Sequence, residues 1–451
     1  MASAIASSPS IRRLLLLTWL ISDIGGGRRA RVDMQELLFL AHRIPYPPDK
    51  GDKIRSWHFL LHLARRYRVH LGCFVDDPRD WQFRDVLREL CGESCFIPLD
   101  PRLATLRSLP ALLTGQPMTV PYYSDRRLHR WVSDIMARPQ VRHVFVYCSA
   151  MAQYVMDGDW TGKRCVADIV DLDSEKWMDY ARRAPLSRRW LYGREGRALR
   201  EVERSIAGSF GATLIATEAE RMLFQRIAPE ATERIKCISN GVDSDYFSPE
   251  RHYENPHQPG AVTLVFSGAM DYRPNVDAVI HFAQTILPAI RRRIPAVRFV
   301  IVGSNPQPEV MALAAGAEIT VTGRVPDVRP YLAHAGAIVA PLRIARGVQN
   351  KVLEGMAMAK PVVASPAALA GIVADVGAEV LRAENPEEFA DAVHQAAMTD
   401  RGAAIGRNAR RRVVADYSWS ASWERLDGLL DKQSISGAAE GSAGCRDGAC
   451  P

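Results

Sequence analysis

The chain has 451 residues, 47% of them hydrophobic and 24% charged. That is ordinary globular composition for two to four domains, so wholesale disorder, collagen and a disulfide miniprotein are excluded. No run reaches the roughly 18 apolar residues that a span needs, so a polytopic membrane protein is excluded as well. The formal net charge is +7, carried by 50 arginines against 8 lysines. Arginine forks match phosphates and carboxylates, which fits an acidic lipid or a phosphorylated substrate, and equally a plain solvated face.

Residues 1–33 are expected to lie outside the fold. The segment Ile11 to Ile21 holds two arginines before a short apolar run, as in a signal peptide, but no small-residue cleavage site follows cleanly. The first strand follows Met34 directly, so translation from Met34 is the expectation. The Gly/Ala/Ser-rich segment 433–451 is expected to be disordered. The eight cysteines (73, 91, 95, 148, 165, 237, 445 and 450) contain no CxxC pair, which argues against a zinc ribbon. Several sit in apolar runs as free thiols, which favours a reducing, cytoplasmic compartment.

Between these ends strands alternate with helices. Strands are predicted at Leu37–Ala41, Val69–Val75, Cys95–Leu99, His143–Cys148, Cys165–Val170, Thr213–Ala216 and Lys236–Ser239. A helix is predicted over Gly51–Tyr67, with Ile54, Trp57, His58, Leu61 and Ala64 on one face. Others cover Asp80–Leu90 and an arginine-rich stretch near Ser187–Ala207. The polar, proline-containing stretch 249–260 is read as a linker. A second series follows: strands Val262–Ser267, Phe299–Val302, Ile319–Thr322, Ala337–Ala340 and Pro361–Ala364, and one amphipathic helix over Val276–Ile290. A closing helix, within 416–432, is expected to pack back on the first domain. The spacing therefore predicts an α/β chain of two doubly wound, Rossmann-like domains, 34–248 and 261–415, with a ligand cleft between the carboxyl ends of their strands.

The strongest constellation is Ala340–Lys360. A strand ends, a loop with Gly347 follows, and a helix opens near Gln349. Gly347 permits close approach of a ligand, and the free amides of the helix start attract an anion such as a diphosphate. Lys351 adds a full charge there. Glu354, on the same helical face, can accept from both hydroxyls of a ribose. Taken alone the two would be a surface ion pair of about 0.3–0.5 kcal/mol; loop, strand end and helix start together point to a nucleotide sugar. Arg343 beside this loop and Arg273 after the first strand of the second domain are further diphosphate candidates.

In the first domain, the proline-stiffened loop Pro45–Lys53 brings Gly51 to a helix start, and Lys53 or Arg55 to a donor or acceptor phosphate. A rigid turn capped by Asp49 or Asp52 is the competing account. Asp168, Asp171 and Asp173 end another strand. Asp171 and Asp173 are read as acceptor-orienting or proton-relay groups, against a helix cap by Asp173 or Ser174. His42, at the end of strand one, either faces the cleft or is a satisfied structural histidine. Arg182 to Arg204, interleaved with Trp177, Trp190, Leu191 and Leu199, fits acidic lipid headgroups or a solvated face. No nucleic-acid motif accompanies it.

With these residues in view, the chain from about Leu37 to Leu430 resembles the GT-B glycosyltransferases of family four, the retaining nucleotide-sugar class. The resemblance rests on Cys237–Pro249 (CISNGVDSDYFSP), Phe266–Met270, Val300–Gly303, Val321–Tyr331 and Leu353–Ser365, in that order and spacing. His42–Leu60 and Met270–Val279 resemble the sugar transferases that accompany exosortase/PEP-CTERM and exopolysaccharide clusters. The resemblance implies Lys351, Glu354 and Arg343 as catalytic residues. It implies a donor site of Gly51, Lys53, Gly268, Arg273, Arg324, Val325, Arg346, Gly347, Val348 and Asn350, with His42, Asp171 and Asp173 on the acceptor side. It also implies no metal and no cofactor besides the nucleoside diphosphate sugar as co-substrate, and a lipid-linked glycan acceptor; peripheral contact with the inner face of the cytoplasmic membrane is the expectation that the arginine-rich stretch carries. One departure stands out. The family pairs two glutamates eight positions apart, and the first falls at Arg346; the subgroup shares this arginine-glycine form. The alternatives are a non-catalytic binder of donor or glycan, or a basic membrane-surface scaffold.

Overall fold

The computed structural model describes residues 34–48, 51–156, 158, 162–345 and 347–431. The expected extension 1–33 and the tail 433–451 lie outside the described residues. Two parallel sheets make up the body. The first is built from β1 (Glu36–Ala41), β2 (Arg68–Val75), β3 (Ser94–Pro98), β4 (Val141–Tyr147), β5 (Arg164–Val170), β6 (Ala212–Ile215) and β7 (Ile235–Cys237), in the order β3-β2-β1-β4-β5-β6-β7. The second is built from β8 (Val262–Ser267), β9 (Val297–Val302), β10 (Ile319–Val321), β11 (Ala337–Ala340), β12 (Val362–Ala364) and β13 (Leu381–Arg382), in the order β10-β9-β8-β11-β12-β13. Strand order reverses beside β1 in one sheet and β8 in the other, and the crevice outside the carboxyl ends at such a point is where ligands bind.

The apolar runs form the central strands because both faces of each sheet are covered. Leu37 to Ala41 of β1 are buried throughout, each large side chain contributing about 1.5–3 kcal/mol. Helix α1 (Gly51–Arg66) is buried on two sides. Phe59 packs edge-on against Phe145 of β4, with ring centroids 5.7 Å apart. On the other side the last described helix returns from the second domain. His58 stacks on its Trp419 at 4.2 Å and His62 on its Trp423 at 5.1 Å. His62 Nε2 lies 2.8 Å from Asp427 Oδ1, and Trp423 Nε1 donates to the His58 carbonyl at 3.2 Å. The closing helix thus packs on the first domain, as expected.

Three features differ from expectation. The helix foreseen as continuous over Val276–Ile290 is Arg273–His281, a π turn Phe282–Ile286, then Leu287–Arg293. Pro288 cannot donate a backbone hydrogen bond and its ring crowds the preceding turn, so the ladder shifts register there. The predicted Asp80–Leu90 helix is a 3₁₀ segment, Pro78–Phe83, leading into Arg84–Leu90. Third, 249–260 is not the crossing between domains. Ile238 belongs to the first core and Val242 to the second, so the chain crosses between them. The polar segment is a strap along the second domain, held by His257 Nε2 to the Tyr331 carbonyl at 2.9 Å and His334 Nε2 to the Tyr253 carbonyl at 2.7 Å. The return crossing runs alongside. Val242 N donates to the Tyr417 carbonyl at 2.7 Å, and a Cβ on Gly241 would fall 2.6 Å from the Trp419 ring.

Candidate active site

Three cavities adjoin one another between the two sheets. The central one, about 860 Å³, is lined by Arg43, Gly51 and Ile54 from the first domain. From the second come Gly268, Asn275, Arg324, Val325, Val348, Asn350, Lys351 and Glu354. Asn350, Val325 and Glu354 also line a cavity of about 390 Å³ with Tyr246, Pro326 and His58. Gly51 and Val348 also line a third, about 350 Å³, with His42, Cys148, Asp171, Asp173, Lys176 and Gly347.

The central wall is built by close backbone packing after β8. Gly268 has φ +153°, and a Cβ there would fall 2.7 Å from Asn275 Nδ2. A Cβ on Gly303 would fall 1.7 Å from the Gly268 carbonyl oxygen. Two glycines therefore let two loops lie against one another. Asn275, in the helix Arg273–His281, ties this loop to the donor helix: its Nδ2 donates to the Ala269 carbonyl at 2.9 Å, and its Oδ1 accepts from Lys351 Nζ at 3.0 Å. Lys351 also lies over the Phe266 ring, 5.0 Å from its centroid. Its helix, Asn350–Ala357, opens at Gln349 without a side-chain cap, so amides at its start face the cleft unblocked by a capping side chain.

Burial sets the charges of this pair. It pulls Lys351 down to about 8, against the pull of Glu354. It pushes Glu354 up to about 7, against Lys351. The carboxylate is charged above about 7 and the ammonium below about 8, so a ligand that needs both is held best between them, with apparent values that belong to the pair. A profile of kcat/KM against pH is expected to fall on both sides of that window, and Lys351→Arg is expected to remove the alkaline limb, because guanidinium does not titrate there. An alkaline limb that persists in Lys351→Arg would contradict this assignment.

On the first-domain side, His42 follows β1. It stacks on Tyr147, 5.8 Å between centroids, with Nε2 3.4 Å from Asp52 Oδ2. Burial opposes its charge, but Cys148 and Asp52 outweigh it and lift the pKa to about 10. Gly347, at φ +65°, brings the second-domain loop against Asp171: a Cβ there would lie 3.2 Å from Asp171 Oδ1. Behind Asp171 stands Glu220, which burial and the Asp171 carboxylate push up to about 8. Asp173 accepts from Lys176 Nζ at 2.8 Å instead of capping its helix.

Several sequence candidates lie elsewhere. Lys53 is buried, with Nζ 2.6 Å from Asp80 Oδ2. Arg55, also buried, donates to Asp168 at 2.7 and 3.2 Å and to Asn240 Oδ1 at 2.9 Å. That turns Asp168 inward, away from Asp171 and Asp173. Arg343 is exposed and gripped by both Asp277 oxygens, its Nε 2.9 Å from Oδ2. Arg273 is exposed and lines none of the three cavities. Each has left the cleft for a partner or for solvent. Arg346 lies outside the described residues. Sequence reasoning missed Asn275, Glu220 and Arg43. Arg43, which pairs with Asp52 at 2.6 Å and Asp76 at 2.8 Å, was signalled by its place just after β1 at the switch point. Glu220 was signalled by Thr217, whose hydroxyl accepts from Glu220 N at 3.2 Å. Among the described residues no cluster of His, Cys, Asp and Glu is arranged to hold a metal, and no helix is long and apolar enough to cross a membrane.

Residues 261–398 match the family model described as glycosyl transferases group 1. No curated protein matches the chain in sequence. Among solved structures, HepE from Anabaena in complex with UDP and glucose is similar at 14% identity and a TM-score of 0.60, over 88% of this chain and 100% of that one. Sucrose-phosphate synthase from Thermosynechococcus elongatus is similar at 15% and 0.62, over 88% and 98%. A glycosyltransferase from Rickettsia africae is similar at 13% and 0.59, over 89% and 100%. At these identities the likeness establishes the fold: two Rossmann-like domains in the GT-B arrangement, the second carrying the group 1 domain match.

Proposed function

We propose that the chain is a retaining, metal-independent glycosyltransferase. It moves a hexosyl or related group from a nucleoside diphosphate sugar to a hydroxyl of a lipid-linked glycan, in the assembly of a bacterial exopolysaccharide or surface polysaccharide. The observation that carries this reading is Lys351 and Glu354, half-buried on one helix start in a cleft walled by both domains. The order of the cavities supports a direction for the donor. The base lies toward Val325 and Tyr246, the ribose hydroxyls donate to Glu354, and the diphosphate meets Lys351, the helix-start amides and the Gly268 loop. The sugar then points past Val348 and Gly347 to Asp171. The resemblance to exosortase/PEP-CTERM-associated transferases suggests the setting: the cytoplasm, at the inner face of the membrane.

In the reaction the bond from the anomeric carbon to the diphosphate oxygen breaks while the acceptor oxygen bonds to the same face. The acceptor proton passes to the leaving phosphate, and the Asp171–Glu220 pair orients the hydroxyl. Lys351 stabilises charge that grows on the diphosphate. Closure about the paired crossings at 239–242 and 417–419 excludes water, the competing acceptor.

The test is nucleotide release from a panel of nucleoside diphosphate sugars with bacterial lipid extract as acceptor. One donor is expected to support release, and Glu354→Ala to lose at least about tenfold in donor affinity, the cost of hydrogen bonds to a charged acceptor. A donor that binds without release in the presence of acceptor would instead identify a binder.

A further inference from the structure

The first domain carries an apolar surface that the transferase reading does not use. Leu103 and Leu106 project from Pro101–Ser108, Leu109 from the turn that follows it and Leu113 from Ala111–Thr114, and Leu186 and Trp190 from the start of the long helix Leu186–Ser209. Leu113 is 92% exposed, Leu186 84% and Trp190 64%. Hydrogen bonds join the two parts. Arg194 Nη2 donates to the Gln116 carbonyl at 3.0 Å and to that of Ala111. Glu195 accepts from Met118 N at 2.8 Å and Thr119 N at 2.9 Å.

The surface is also basic. There is no Asp or Glu from Pro101 to Ser124, nor from Tyr180 to Arg194. Arg102, Arg188 and Arg189 have no acidic partner among the described residues. The surface lies on the cleft side as well. Pro101–Ser108 opens just after β3, at the carboxyl edge that bears His42 and Asp171. The helix Leu186–Ser209 enters β6 at the opposite edge. Its 24 residues span about 36 Å, while four-residue β6 spans about 13 Å. Its start therefore stands beyond the carboxyl edge too.

We propose that this face docks on an anionic lipid bilayer, with the leucines and Trp190 in the headgroup–acyl boundary and the unpaired arginines on lipid phosphates. Charge complementarity and shape favour a bilayer over a protein partner. The apolar side chains stand out singly, from two short helices and the start of a long one, which a deformable headgroup layer accepts, and tryptophan suits that depth. The proposal deepens the transferase reading and rests on it for purpose: docking here would present a lipid-linked acceptor to the cleft.

The test is sedimentation of the full chain with vesicles of phosphatidylglycerol mixed with phosphatidylcholine, and of phosphatidylcholine alone. Binding to the anionic vesicles is expected, weakening as salt rises. Leu106→Ser with Leu113→Ser is expected to weaken it at least about tenfold, and Arg188→Glu with Arg189→Glu to weaken it as well. Melting temperature and the melting shift with donor should stay unchanged in both variants. The proposal is overturned if the wild type ignores anionic vesicles, or if the variants bind as the wild type does. It is also overturned if light scattering shows a dimer that the leucine variant dissociates, since a second copy then occupies the face. Loss of the donor shift in the wild type would instead sink the transferase reading and leave the vesicle result standing.

Discussion

Lys351→Ala is expected to lower kcat/KM by about 10²–10³, the cost of removing one preorganised donor from a developing oxyanion. The ammonium is held in place before substrate arrives, by Asn275 Oδ1 at 3.0 Å and the Phe266 ring. Burial leaves it weakly hydrated and lowers its pKa to about 8. The growing negative charge of the diphosphate therefore meets a cation that needs no reorganisation. Because that charge grows toward the transition state, kcat should fall together with kcat/KM, with a smaller change in KM. Stability should not suffer, since the substitution removes a partly buried charge. Equal kcat in variant and wild type, with only KM raised, would reassign Lys351 to ground-state binding.

Asp168→Ala is expected to cost about 3–5 kcal/mol of stability, because it strands a buried guanidinium. Arg55 and Asp168 are both fully buried, and the remaining Arg55 donor reaches Asn240, next to the crossing between domains. The urea midpoint of the first-domain transition should drop accordingly. Because Asn240 borders the crossing, donor affinity should weaken in the same variant. A midpoint within error of the wild type would show that water reaches Arg55 once the carboxylate is gone.

The sheets and the donor helix were legible because their signals are local. Buried parallel strands are unbroken apolar runs, and Lys351 and Glu354 share one helix start with a glycine loop before it. What was not legible is which way a charged side chain turns, since its partner lies far along the chain. Lys53 is taken by Asp80 27 positions on, Arg343 by Asp277 66 away and Arg55 by Asp168 113 away. The same distance hid Asn275, which meets Lys351 across 76 positions. Prolines in 249–260 mimicked a linker, because a strap tied down by its own His257 and by His334 of the second domain reads the same in composition as a free segment. The true crossing at 239–242 is set by Trp419 and Tyr417, which no local pattern connects to Gly241.

The central claim is that Lys351 and Glu354 hold a nucleoside diphosphate sugar. Calorimetric titration of a donor panel into the wild type, Lys351→Ala and Glu354→Ala, at a pH between about 7 and 8 where both groups carry charge, tests it most directly. The account predicts that one donor binds the wild type stoichiometrically, binds Glu354→Ala at least about tenfold more weakly, and binds Lys351→Ala more weakly by a smaller factor. A donor that binds all three proteins alike, or a wild type that binds none of the panel, would contradict it.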